Sequence, residues 1–193
     1  MNTHDLFKAA LTVAGKKDLR FYLNGVHVSR SENTADVKIE ATDGHIMMQA
    51  IIRNDDERFK VAENTDVVLT RQQLETMLKS FNRSVGMIAV IDNTGAVFEQ
   101  AGQSLTVAPI PESRYPDVMR VINMCDESKK TTETVGFNVT LMGQVCKCIE
   151  LLRKEFTYKA ALLDLYNATT QCKWSVTMGE NESALLLLAP CRL

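Results

Sequence analysis

Apolar positions along this chain switch repeatedly between a helical and a strand period. Residues 70–81 read TRQQLETMLKSF, which sets Leu74, Met77, Leu78 and Phe81 at i, i+3, i+4 and i+7 on one helical stripe. Thr70, with Gln73 three residues on, has the spacing of a capping box. Residues 66–69 (DVVL) before this helix read as a strand. Three strand-like runs follow it, at 85–91, 96–99 and 104–108, with Asp92, Asn93 and Gly95 as turn residues between the first two.

The same order returns near the C-terminus. Residues 135–139 predict a strand, and Thr140 predicts the cap of a helix to about residue 155 with Leu141, Val145, Ile149 and Leu152 inward. Strands follow at 160–166, 173–178 and 184–190. At the start of the chain, residues 4–15 predict a helix with Leu6, Ala10, Val13 and Ala14 inward, then strands at 19–29, 36–42 and 46–53. The helix starts Thr3, Thr70 and Thr140 recur about every 70 residues. The pattern predicts an α+β protein of three β-α-β-β-β units, the first lacking its leading strand.

Each helix must bury one face on a sheet, so paired units put sheets on one side and polar helix faces on a common surface. Steps of 100° place Lys8 and Lys16 on that surface in the first unit, Lys79 and Arg83 in the second, and Lys147 and Lys154 in the third. Arg71 and Arg153 flank them, and Asp5, Glu75 and Glu150 lie among them. Periodicity alone favours an ordinary solvated helix face.

Composition narrows the function. Of 193 residues 45% are hydrophobic and 24% charged, with a net charge of −2, so DNA contact could come only from a local basic face. No apolar run approaches the roughly 20 residues that span a bilayer, and the opening MNTHDLFKAA lacks a basic segment followed by an apolar one. The expectation is a cytoplasmic protein with no membrane partner. Five cysteines without a CxxC pair read as buried free thiols, with neither metal nor cofactor. His45 has no accompanying nucleophile, second base or metal cluster in the sequence, so no enzyme activity is expected.

Four stretches carry a resemblance: FYLNGV (21–26) with ATDGH (41–45), RYPD (114–117) followed by Arg120 and Val121, GFNV (136–139), and LLAPCRL (187–193). In this order and spacing the chain resembles the bacterial DNA sliding clamp, the DNA polymerase III beta subunit family. The resemblance implies the DNA-clamp (processivity) fold, with helices lining a ring interior and sheets outside. It aligns residues 1–123 with the clamp middle domain (two units), 124–134 with a polar linker (MCDESKKTTET), and 135–193 with the second half of the last domain. The first clamp domain has no counterpart.

The family implies a processivity factor for DNA replication: a homo-oligomeric ring around duplex DNA that tethers a DNA polymerase or repair protein. A clamp loader is a further partner of that scheme. A sliding ring needs only a mild, sequence-independent attraction to phosphate, so the helix lysines and arginines become DNA-facing candidates. Family rings hold twelve units, so three per chain imply a homotetramer closed head to tail, with unpaired sheet edges and the missing first strand covered across chains. Partner peptides with Leu or Phe anchors would dock in a pocket walled by Leu23, Thr42, Gly44, His45, Met47, Pro116, Arg120, Val121, Leu187, Ala189 and Arg192. Arg120 and Arg192 would hydrogen-bond peptide carbonyls or acidic side chains. Ala189 stands where the family carries a bulkier methionine, which widens the pocket on that side. Leu23, Val121 and Leu187 equally fit an ordinary core, and Asp43-Gly44 an ordinary turn. The alternative function is an interaction protein that binds clamp-binding peptides, or a full-length clamp, without encircling DNA.

Overall fold

A computed structural model describes residues 2–32, 34–53, 57–111, 114–125, 130, 135–157, 159–166, 170–180 and 182–191. The first helix, α1 (Thr3–Val13), starts one residue earlier than expected. Asn2 is its cap, accepting the Asp5 N–H at 2.8 Å, while the Thr3 hydroxyl donates to the Met87 carbonyl. The expected strand at 19–29 begins only at β1 (Gly25–Arg30), after a 3₁₀ turn at Phe21–Leu23. The Asn24 side chain causes this: it accepts from the Asp18 N–H and donates to the Asp18 carbonyl, folding the intervening residues into a loop.

Next come β2 (Asp36–Thr42), β3 (Ile46–Arg53), β4 (Phe59–Val61), β5 (Thr65–Thr70) and α2 (Arg71–Ser80). The second unit continues with β6 (Ile88–Asp92), β7 (Gly95–Gln100) and β8 (Gln103–Val107). β6 starts later than predicted because Gln100 holds residues 82–85 as a turn, donating to the Asn82 and Val85 carbonyls. A short α3 (Val118–Ile122) precedes α4 (Val139–Leu152), β9 (Leu162–Asp164), β10 (Cys172–Thr177) and β11 (Ser183–Leu188). The cap of α4 is Asn138, accepting from the Thr140 and Leu141 N–H groups, rather than Thr140. That cap ends the predicted leading strand of the third unit, of which a single bridge between Gly136 and Cys191 remains.

The strands form two sheets, ordered β5-β1-β2-β3-β11-β10-β9 and β4-β6-β7-β8. Every pairing is antiparallel except β4 with β6. β5 lies on β1, the first strand after α1; β4 lies on β6, the first strand after α2. β4 therefore fills the position of the missing leading strand. That edge of β6 is covered by the chain's own connector rather than across chains.

The seam between β3 and β11 runs from Ile46↔Leu188 to Ile51↔Ser183 and joins the two ends of the sequence in one sheet. The main core spans all three units. At its centre α1 packs against α4, touches α2, and lies on β1, β2 and β3, which explains why almost its whole circumference is buried. Phe7 stands edge-on to Phe98 at 5.1 Å. Of the predicted linker only Met124, Cys125 and Lys130 are described; Lys130 pairs with Asp164 at 2.8 Å.

Candidate functional site

One end of the β3–β11 seam opens into a cleft of about 220 Å³. The turn between β2 and β3 shapes its mouth. The Thr42 hydroxyl donates to the Ile46 carbonyl and accepts from the Gly44 N–H, and the Asp43 carboxylate accepts from His45 and Ile46 N–H groups, both at 2.8 Å. Gly44 has φ +93°, and a Cβ there would sit 2.9 Å from the Arg20 guanidinium. The turn reading of Asp43-Gly44 therefore holds, and the same turn borders the cleft. The Ala189 N–H donates to the His45 carbonyl at 3.0 Å, extending the seam to the mouth.

The opposite rim comes from residues 116–121. Asp117 caps α3, accepting from the Arg120 N–H at 3.2 Å. Val118 and Val121, three apart, then face the cleft. Beneath, Met47, Val118, Cys125, Tyr166 and Leu187 form an apolar cluster separate from the main core, with Tyr115, Val121, Ile122 and Leu185 packed on it.

Nine predicted pocket residues line this cleft: Leu23, Thr42, Gly44, His45, Met47, Pro116, Val121, Leu187 and Ala189. Leu23 and Leu187 are each 1% exposed, so both also serve as core, supplying a floor rather than a mobile wall. Arg120 does not line it. Helical phase turns that exposed side chain away when Val118 and Val121 turn inward. Arg192 lies outside the described residues. The lining also includes Arg20, Tyr22, Ile46, Asp117, Val118 and Gln171, which the sequence reading missed. All but Gln171 lie within three positions of a predicted residue, so wider flanks around the same stretches would have found them. Arg20 grips the Asp18 carboxylate with two nitrogens, at 3.0 and 2.9 Å, and donates to the Asp43 carbonyl. Those hydrogen bonds pull the Asp18 carboxyl down to about 2.

Of the eight basic candidates, Lys8, Arg71, Lys79 and Lys147 lie on helices, while Lys16, Arg83, Arg153 and Lys154 lie past helix ends that come earlier than predicted; by engagement they divide into two groups. Lys8, Lys16, Lys79 and Lys147 are exposed, and no ion pair within 4.0 Å is seen for them among the described residues. The other four are engaged. Arg71 caps the C-terminal end of α1, donating to the Leu11, Ala14 and Gly15 carbonyls while pairing with Glu75. Arg83 grips the fully buried Asp5 carboxylate, and Lys154 approaches the same carboxylate at 4.0 Å. Arg153 donates to the Thr177 carbonyl at 2.6 Å and stacks over Phe156. Burial alone would raise the Asp5 carboxyl; His4, whose Nδ1 lies 3.9 Å away, and the Arg83 hydrogen bonds outweigh it and hold the group far below the usual range. Cys125, Cys148 and Cys172 are buried free thiols as expected, whereas Cys146 and Cys191 are exposed. No helix is long and apolar enough to cross a membrane among the described residues.

No protein-family model matches the chain, and no curated protein does. Solved structures do. The DNA polymerase sliding clamp from Pseudomonas aeruginosa, crystallised with a ligand, superposes with a TM-score of 0.70 at 13% identity, over 98% of this chain and 63% of that one. The Helicobacter pylori beta clamp in complex with diflunisal gives 0.72 at 14% identity, over 100% and 64%. A putative DNA polymerase III beta subunit from Eubacterium rectale gives 0.70 at 12%, over 98% and 63%. The fold of this chain is that of the bacterial sliding clamp, and the chain spans under two thirds of the length of those clamps.

Proposed function

We propose that this chain is a shortened sliding clamp that closes a homo-oligomeric ring around duplex DNA and tethers a DNA polymerase or repair protein through the seam cleft. Residues 1–123 act as a complete clamp domain and 135–193 as half of one, so four chains supply the twelve units of a ring. The observation that carries the reading is the cleft itself. In a clamp fold, nine residues named from scattered stretches of sequence line one apolar-floored opening, the surface that a few peptide anchors require. Such a protein works without catalysis, in the cytoplasm on nucleoid DNA, with a clamp loader as a further partner. The DNA-facing role falls on the exposed Lys8, Lys16, Lys79 and Lys147, since Arg71, Arg83, Arg153 and Lys154 are already engaged within the chain.

That division also favours a second reading. With net charge −2 and half the basic candidates committed internally, the chain suits an interaction protein that keeps the cleft and binds clamp-binding peptides or a full-length clamp without encircling DNA. Retention on closed circular DNA separates the two. Lys8→Glu, Lys79→Glu and Lys147→Glu combined should abolish retention on circles, while release on linearisation marks a topological link in the parent protein. Equal retention by parent and variant, or a stable monomer by light scattering, overturns the ring.

A further inference from the structure

A polar row crosses the face of the seven-stranded sheet opposite the helices. Val26, Ile39 and Met48 point into the main core, so their neighbours His27, Glu40 and Gln49 point the other way on adjacent strands, in register His27↔Glu40↔Gln49. The row is not solvated. His27, Glu40 and Gln49 are all buried, beneath the segment that runs from Tyr115 into α3. His27 Nδ1 lies 2.8 Å from a Glu40 oxygen, and Nε2 lies 2.7 Å from an Asp66 oxygen. Gln49 donates to the other Glu40 oxygen at 2.7 Å.

A neutral imidazole carries one N–H, whereas a carboxylate only accepts. Both His27 bonds therefore require the imidazolium. The Tyr115 ring lies flat on that imidazolium, centroids 4.5 Å apart and planes 18° apart, where its π-face meets a cation. The Tyr115 hydroxyl is buried beside the Thr42 backbone on the cleft wall, without a hydrogen bond of normal geometry. Four residues on, Met119 sulfur sits 3.9 Å from the Gln49 amide. The row thus holds both ends of the stretch that contains Pro116, Asp117 and Val118, the rim of the cleft.

We propose that His27 is a positioning residue for the cleft: bridging Glu40 and Asp66 as an imidazolium, it seats Tyr115 and so fixes the rim against which a ligand packs. The proposal rests on the cleft being a ligand site. The groups facing His27 are Glu40 from β2, Asp66 from β5 and Tyr115 above, with Tyr22, Arg114 and Asp117 around the same hollow. Burial would lower the His27 pKa, but the two carboxylates outweigh it and raise it above 6.5. The seat is therefore complete below that raised value. As pH rises through it, the imidazolium loses one carboxylate bond and its cationic hold on Tyr115, and the rim loosens.

The test is fluorescence anisotropy with a labelled short peptide carrying Leu and Phe anchors across neutral and alkaline pH, on the parent, His27→Gln and Tyr115→Ala. The parent should lose about tenfold in affinity through the His27 titration, and both variants should bind weakly and without that step. A pH step kept in His27→Gln does not come from His27 and overturns the proposal, as does parental affinity in both variants. Tyr115→Ala leaves the polar row intact, so it decides the matter if His27→Gln fails to fold. In parallel, NMR follows the His27 Cε1–H and Tyr115 ring signals. They should move in the same pH step; an unmoved Tyr115 ring overturns the positioning role even if the peptide binds nowhere, an outcome that by itself counts only against the cleft as a peptide site.

Discussion

Replacing Asp5 by Asn tests how the three units are held together. Asp5 belongs to α1, Arg83 follows α2 and Lys154 follows α4, and all three meet at one carboxylate. The Asp5 side chain is 0% exposed and accepts three short contacts from Arg83, at 2.8, 2.9 and 2.7 Å. Asn keeps the shape and one acceptor but removes the charge. Stripping one partner from a fully buried ion pair costs about 3–5 kcal/mol. Arg83 is 34% and Lys154 38% exposed, so water rehydrates both cations, and the expected loss falls to about 2 kcal/mol. The pH dependence has a definite sign. The folded carboxyl is depressed below its ordinary 3.8, so its contribution is complete above that value and disappears as pH falls toward the folded one. Urea unfolding followed by Trp174 fluorescence should show the full gap between parent and Asp5→Asn at neutral pH and a shrinking gap below about pH 4. A neutral-pH difference under about 0.5 kcal/mol, or one that stays constant into acid, would refute the account.

Other outcomes follow from the same geometry. Val121→Glu puts a charge on the half-buried rim of the cleft and should weaken an apolar-anchored peptide at least about tenfold by anisotropy, with little change in melting temperature. Gly25→Ala adds a Cβ that would lie 2.5 Å from the Leu69 carbonyl oxygen, so β1 and β5 must separate; about 1–3 kcal/mol should be lost in urea unfolding.

The helices were readable because their apolar stripes are long and local. Leu74, Met77 and Phe81 are buried as the period requires, and so are Val145, Ile149 and Leu152. β4 was not readable. Phe59-Lys60-Val61 is three residues long, and its strand character comes from β6, whose paired residues begin thirty positions later. α3 was missed for a related reason: five residues after a proline carry too little period to register. The cleft came from scattered short stretches, which name neighbours in sequence without their rotation about a helix; Arg120 was included for that reason and points elsewhere. Lys8, Arg71, Lys79 and Lys147 lie on helices, whereas Lys16, Arg83, Arg153 and Lys154 fall beyond the helix ends, and sequence does not show where a long side chain ends. Arg71 and Arg83 reach carbonyls and a carboxylate on α1 and beyond. Alternation along β1 and β2 puts His27 and Glu40 on the face away from the core, and nothing local reveals that residues 114–122 lie over them.

The seam between β3 and β11 also sets the order in which a ribosome can deliver a working cleft. Met47 and Leu187 face each other across it although 140 residues separate them in sequence. Until β11 emerges, the nascent chain presents β3 as an open, apolar strand edge, the kind that pairs with other nascent chains. Closing so long a loop makes this a late and slow step of folding. A peptide seated in the finished cleft would clasp β3 and β11, far apart in sequence, at once, and by mass action should slow unfolding as a whole rather than locally. Such a ligand, added during expression or refolding, would act as a folding template for this chain.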